Sequence, residues 1–151
     1  MAINQAAILD TLTQLHDGAA AVTTSGAGQV SAAAKVIDVG EGLYVKGEVV
    51  IDISAIALTT DELYTMHIQG SSDADFGTAA NIRDLAKYDL GAGEVLFNGQ
   101  AGEDVGAANE RHIFLFTNQL GDTVYQYLRL YITTAGAAES ITFKAWMTKI
   151  D

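Results

Sequence analysis

Apolar and polar residues alternate along most of the chain from residue 35 onward, and this pattern predicts β-strands. Within residues 43–57, Val45, Val49 and Ile51 share one parity, whereas Glu48 lies on the other. A period of two is typical of an antiparallel strand with one buried and one solvated face. The same criterion predicts strands at 35–39, 43–57, 62–69, 94–97, 111–118, 123–134 and 140–150.

The connections between these strands indicate the fold class. Leu120-Gly121-Asp122 and Ala135-Gly136-Ala137 are short enough for β-hairpins, whereas the apolar spacing between Ile82 and Leu90 fits a helical turn. The turns depend on glycine, because the chain has 15 glycines and no proline. Seven or eight strands joined by tight turns and long loops predict an all-β fold, a jelly-roll or Greek-key β-sandwich of about eight strands.

The first 34 residues depart from this pattern and predict an N-terminal arm, followed by the sandwich domain at residues 35–151. Near the start, part of the apolar spacing fits one stripe of a helix. The apolar residues of that stripe, which are candidate contacts with another subunit, are Ile3, Ile8, Leu12 and Leu15. Residues 18–34 are a low-complexity run of small residues that buries little area. Either this arm is extended or partly helical and a neighbouring subunit orders it, or it forms an edge strand and loop on its own domain. The first alternative predicts that deletion of residues 1–17 leaves the domain folded.

The charge of the chain restricts its partners. Its 151 residues carry 8 Lys and Arg against 19 Asp and Glu, a formal net charge of −11. Nucleic acids and anionic membranes are bound through basic surfaces, so we expect neither as a partner. The absence of cysteine excludes disulfides, thiol nucleophiles and cysteine-ligated metals.

Candidate catalytic and metal-binding residues are scattered along the chain. His16, His67 and His112 have no local cluster of compatible ligands around them. Asp73 and Asp75 offer two oxygen ligands for a cation, but a turn built by their side chains explains them as well. The GxSxG and HExxH motifs and the phosphate-binding loop motif are absent. We therefore expect no enzyme activity, no cofactor and no dedicated metal site.

One predicted strand presents a distinctive surface. In residues 122–134, one parity is mostly apolar and the other holds Tyr125, Tyr127, Arg129 and Tyr131. Tyrosine and arginine are enriched at binding hot spots because they combine a large contact area with polar groups. Either these four residues contact another chain, or the tyrosines cover a sheet face of their own subunit with Arg129 stacked on a ring.

Three segments carry a resemblance to a known family. They are AKVIDVG (34–40), ELYTMHIQGSSDADF (62–76) and YLRLYITTAGAAESITFKAWMTK (127–149). In this order and spacing they resemble the capsid cement, or decoration, proteins of tailed bacteriophages that have a short jelly-roll domain. The resemblance covers residues 34–150, and the Gly/Ala-rich segments 18–34 and 101–108 do not contribute to it.

This resemblance implies a non-enzymatic structural protein of the virion, made in the cytoplasm of the bacterial host and located on the capsid exterior. Such proteins bind across junctions of the major capsid protein, as homodimers or homotrimers, and stabilise the mature shell. A symmetric oligomer gains avidity, and binding only to the mature shell stabilises that state by mass action. The alternative is a small carbohydrate-binding jelly-roll module that stacks sugars on Trp146 or the tyrosines.

Overall fold

Two antiparallel sheets face each other across one apolar core in the computed structural model, which describes residues 12–99 and 102–150. The strands among these residues are β1 (Gln14–His16), β2 (Gly26–Ala27), β3 (Gln29–Val30), β4 (Ala33–Ala34), β5 (Ile37–Asp38), β6 (Lys46–Ile56), β7 (Leu63–Ser71), β8 (Arg83–Gly91), β9 (Arg111–Thr117), β10 (Gln119–Leu120), β11 (Thr123–Val124), β12 (Tyr127–Ala135) and β13 (Ile141–Ile150). A 3-10 turn (Ala79–Asn81) and a one-turn helix, α1 (Gly93–Leu96), complete the regular structure. The predicted all-β sandwich is confirmed.

The order of the strands places sequence-distant segments side by side. The smaller sheet has the order β1-β13-β6-β9, and the larger sheet has the order β2-β12-β7-β8 with β5 also paired to β12. Consecutive long strands lie in different sheets, except for β7 and β8, which are neighbours in the larger sheet. The predicted hairpin at 135–137 is therefore wrong, because β12 and β13 lie in different sheets. Residues 120–122 connect the short β10–β11 hairpin, but the long strands on either side of it, β9 and β12, also lie in different sheets. The jelly-roll class stays a prediction.

Alternation along the long strands builds the core. Tyr64, Met66 and Ile68 of β7 are fully buried on the parity that the sequence predicts. Residues from both sheets join them in one cluster: Leu15, Val49, Ile51, Ile53, Leu90, Phe114, Phe116, Leu128, Leu130, Ile132, Ile141, Phe143, Ala145 and Met147. Burial of so many large apolar side chains is the main stabilising contribution to the fold.

In residues 82–97 the order of helix and strand is the opposite of the predicted one. The segment predicted as a helical turn is strand β8, and the segment predicted as a strand is α1. A bulge explains the first error, because Ile68 pairs with Ala86 and Gln69 pairs with Asp84, which leaves Leu85 as an additional residue. An inserted residue breaks the period of two and leaves apolar spacings of three, as in a helix.

The described part of the predicted arm belongs to the sandwich. In residues 12–34, β1 pairs with β13, β2 pairs with β12, and Val22 bridges to Ile141. Leu15 is only 1% exposed and belongs to the core cluster. The alternative of an edge strand and loop on the same domain describes these residues, and residues 1–11 lie outside the described part of the chain.

A buried histidine connects β1 to the rest of this N-terminal region. His16 stacks on Phe143 with ring centroids 4.4 Å apart, and its Nδ1 accepts a hydrogen bond of 3.0 Å from the Gln29 amide. Burial lowers the pKa of His16, and the nearby Asp17 carboxylate offsets this only in part. The folded chain therefore holds His16 neutral at pH values where the unfolded chain protonates it.

We expect the stability of the fold to decrease as the pH falls below the ordinary histidine pKa of about 6.5. Below that value the unfolded chain binds a proton that the folded chain excludes, so the free energy of unfolding drops. The measurement is the midpoint of urea unfolding between pH 8 and pH 5. His16→Asn supplies an amide oxygen in place of Nδ1 and cannot titrate, so its midpoint should vary less over this range. Identical pH profiles for the two proteins would contradict the prediction.

Candidate interaction surface

Three of the four residues on the predicted Tyr/Arg parity lie together on the outer face of the larger sheet. Tyr127, Arg129 and Tyr131 are half-buried on that face, whereas Leu128 and Leu130 between them are fully buried. Their strand, β12, is bordered by β7 on one side and by β2 and β5 on the other. We call Tyr127, Arg129 and Tyr131, together with Gln69 and Phe76 described below, the β12 surface.

Tyr125 does not belong to the β12 surface. It precedes β12, and the chain bends at Gln126, which interrupts the alternation that the sequence predicts. A Cβ atom on Gly70 would lie 2.8 Å from the Cβ of Tyr125. Gly70 pairs with the buried Leu128 and shares its parity with the core residues of β7, so the base of the Tyr125 side chain lies on the core-facing side of the sheet.

Arg129 is held between two aromatic rings and an amide. Its Cζ lies 4.3 Å from the ring centroid of Phe76 and 5.1 Å from that of Tyr131. Its Nε donates a hydrogen bond of 2.9 Å to Oε1 of Gln69. Burial lowers the pKa of Arg129, with Tyr131 acting in the opposite direction, but a guanidinium stays charged in proteins. Stacking of Arg129 on a ring is the arrangement that the second sequence alternative predicts.

Further polar contacts hold Gln69, the hydrogen-bond acceptor of Arg129, in place. Gln69 donates from Nε2 to Oδ1 of Asp84 over 3.0 Å, and Oδ2 of Asp84 lies 3.3 Å from Nδ1 of His67. On the β12 side, His67 Nε2 lies 3.1 Å from the Thr133 hydroxyl. These contacts join β8, β7 and β12 across the sheet, so the orientation of Gln69 is constrained before any partner binds.

Phe76 occupies an unusual backbone conformation beneath Arg129. Its φ is +53°, a left-handed value that is rare and strained for a bulky residue, and its side chain is 7% exposed. The loop that holds it is built by side chains: Asp73 Oδ2 accepts from Asn81 Nδ2, and Asp75 Oδ1 accepts from the Gly77 amide, each at 2.9 Å. Strain of this kind is concentrated at functional sites and is compensated by surrounding contacts.

The same loop bears on the candidate cation ligands. Asp75 accepts from a backbone amide two residues on, which agrees with its interpretation as a turn-forming residue. Asp73 instead accepts from the side chain of Asn81. Within the described ranges no group of three or more His, Cys, Asp or Glu residues is arranged to hold a metal ion.

The remaining predicted interface residues lie in three different settings. Leu12 is 75% exposed and therefore accessible. Leu15 is buried in the core of its own subunit, and this corrects its assignment as a contact with another chain, because the core cluster to which it belongs already covers it. Ile3 and Ile8 lie outside the described residues.

Sequence reasoning missed a second exposed apolar surface. Ile113 and Leu115 of β9 are 50% and 60% exposed on the outer face of the smaller sheet. Their neighbours Phe114 and Phe116 are buried, so both parities of this strand are apolar. The apolar composition of both faces could have revealed this surface in the sequence, because a strand with one solvated face normally carries polar residues on that face. Adjacent exposed apolar side chains are typical of contact surfaces.

Comparisons with known proteins add no assignment. No protein-family model matches the chain, and no curated protein matches it. In the ranges 12–99 and 102–150, no helix is long and apolar enough to cross a bilayer. The functional argument therefore rests on the geometry of the β12 surface and on the three segments that resemble cement proteins.

Proposed function

We propose that this chain is a bacteriophage capsid cement protein. In this role it binds the outer surface of the capsid across junctions of the major capsid protein, as a homodimer or homotrimer, and stabilises the mature shell. It is made in the host cytoplasm and resides on the virion exterior. The observation that carries the proposal is that the segments with the resemblance are neighbours in the larger sheet, and that two of them supply the β12 surface.

The spatial arrangement of those segments supports the proposal. The first contains β5, the second contains β7 and Phe76, and the third contains β12 and most of β13. Because β12 pairs with both β5 and β7, the three segments are neighbours in the larger sheet. Arg129, Gln69 and Phe76 all come from them, so the ordered cluster on the outer face consists of residues that carry the resemblance.

The chemistry of the β12 surface suits attachment to a protein shell. Aromatic rings and an arginine with restricted side-chain motion lose little conformational entropy when a partner covers them. A symmetric oligomer multiplies modest contacts through effective concentration, so each copy of the surface can bind weakly. The net charge of −11 keeps an exterior protein soluble.

The structure places the aromatic residues of the carbohydrate-binding alternative on two different faces. Trp146 lies on the outer face of the smaller sheet, since Ala145 and Met147 on either side of it point into the core. Tyr127 and Tyr131 lie on the outer face of the other sheet. The indole and these tyrosines therefore do not line a common cleft for stacking a sugar.

The copy number of this chain in purified phage particles tests the proposal. Quantitative mass spectrometry should give a ratio to the major capsid protein of order one, or a simple fraction of it, as icosahedral positions require. A handful of copies per particle would instead place the chain in the tail or portal. Absence from particles would overturn the proposal, and binding on a glycan array would then favour the carbohydrate-binding alternative.

A further inference from the structure

The arginines of the described residues differ in how their side chains are satisfied. Arg111 forms a two-pronged pair with Asp52, with N–O distances of 2.6 and 2.7 Å. Arg83 donates from Nη1 to the carbonyl oxygens of Ala80 and Ile82 at 2.6 and 2.8 Å. Both guanidinium groups therefore have acceptors for their terminal nitrogens within the chain.

Arg129 has an acceptor only for Nε. Gln69 takes that bond, and in the described part of the chain no acceptor contacts Nη1 or Nη2 of Arg129. The Asp84 carboxylate of this network instead accepts from Gln69 and lies 3.3 Å from Nδ1 of His67. The chain has 19 acidic and 8 basic side chains, yet among the described residues no carboxylate pairs with this half-buried cation.

The orientation of Arg129 is restricted on several sides. The rings of Phe76 and Tyr131 contact the guanidinium, and the Gln69 amide fixes its Nε. A planar guanidinium matches the two oxygens of a carboxylate, and fixing the group in advance lowers the entropy cost of binding. Cation–π contacts leave the donor edge of the guanidinium available for such a ligand.

We propose that Arg129 is a receptor for a carboxylate, supplied by an aspartate or glutamate side chain on the surface of the capsid protein. This inference rests on the proposed function and names the chemistry of its contact. The rings of Phe76 and Tyr131 shield the ion pair from water, which strengthens it. The net charge of −11 repels an approaching carboxylate. That repulsion is screened over about 8 Å at physiological ionic strength, so a local pair of this kind still forms.

The carboxylate site can be tested on the isolated full-length chain by NMR. The sequence has three arginines, so three Nε–Hε resonances report on them, and Arg83 and Arg111 serve as internal controls. Acetate replaces chloride stepwise at constant ionic strength. A saturable shift confined to Arg129, and weakened by Gln69→Ala, is the expected result. Equal drift of all three resonances, or no shift, overturns the inference. A larger shift with inorganic phosphate than with acetate also overturns it, because the site would then prefer a different anion.

Attachment to capsid shells provides a second test of the carboxylate site. Arg129→Gln should weaken the affinity for shells that lack the native chain about tenfold, which corresponds to ~1.4 kcal/mol. Arg111→Gln is the matched control, since it removes an exposed arginine from the opposite sheet and should attach normally. Arg129→Lys keeps the charge without the planar group, and it replaces the glutamine variant if that variant unfolds. Normal attachment of a folded Arg129 variant overturns this inference and leaves the proposed function standing, whereas absence of the chain from particles overturns both.

Discussion

Replacing Asn118 by alanine is expected to lower the free energy of unfolding by about 4 kcal/mol. The Asn118 side chain is fully buried at the end of β9. Its Oδ1 accepts from the Val45 amide at 2.7 Å, and its Nδ2 donates to the carbonyl oxygens of Leu43 and Tyr125 at 2.7 and 3.0 Å. Truncation leaves these three backbone groups without their partner, and each buried unsatisfied group costs about 1–3 kcal/mol.

The cost is large because Asn118 joins three separate segments. Its backbone also pairs with Val45 just before β6 and with Tyr125 just before β12. β6 and β12 belong to different sheets, so this one residue links the two layers at that end of the sandwich. Alanine supplies neither the donor nor the acceptor that the amide provides at this place.

Urea unfolding followed by circular dichroism measures this effect. Asn81→Ala is the control, because Asn81 is exposed and its side chain makes a single bond to Asp73, so its loss should cost less than about 1 kcal/mol. Asn118→Asp should destabilise at least as strongly as alanine, since a carboxylate oxygen would face the two carbonyls that now accept from Nδ2. Equal unfolding midpoints for Asn118→Ala and Asn81→Ala would refute the role assigned to Asn118.

Asn118 illustrates what the sequence pattern could and could not predict. The strands and their buried faces follow from local alternation, as in β7, because the burial of one face imposes a period of two. Asn118 is a polar residue at the end of a strand, a place where such residues also form ordinary turns. Its contacts with Leu43 and Tyr125 depend on which strands become neighbours, and no local signal specifies that.

In the β12 surface, too, local alternation predicts one part of the structure and strand pairing determines the rest. Alternation placed Tyr127, Arg129 and Tyr131 on one face correctly, and it failed at Tyr125, where the strand is interrupted. The ring of Phe76 and the amide of Gln69 reach Arg129 only because β7 pairs with β12, which joins residues 60 positions apart. Parity therefore identifies a face, whereas the composition of a site on that face requires the pairing of strands.

Deletion of residues 1–17 is expected to destabilise the sandwich strongly, which reverses the expectation drawn from the sequence. The deletion removes β1 from the smaller sheet, the buried Leu15 and the stack of His16 on Phe143. Loss of a buried leucine side chain alone costs about 2–5 kcal/mol, so Leu15→Ala should already lower the unfolding midpoint clearly. The sequence did not reveal this because a three-residue strand is too short for periodicity to identify.

Deletion of residues 1–11 is the matched control, because it spares β1 and every contact described for residues 12–17. Its unfolding midpoint should lie well above that of the longer deletion, because Leu15 and His16 are kept, and an unchanged midpoint for the longer deletion would show that β1 is dispensable. The comparison also decides how Ile3 and Ile8 act in the proposed function. A folded chain without residues 1–11 that attaches weakly to shells would assign the lost contact to that segment. Weak attachment of the chain without residues 1–17 would not assign the contact to that segment, because the loss of the core around Leu15 also disturbs the scaffold of the β12 surface.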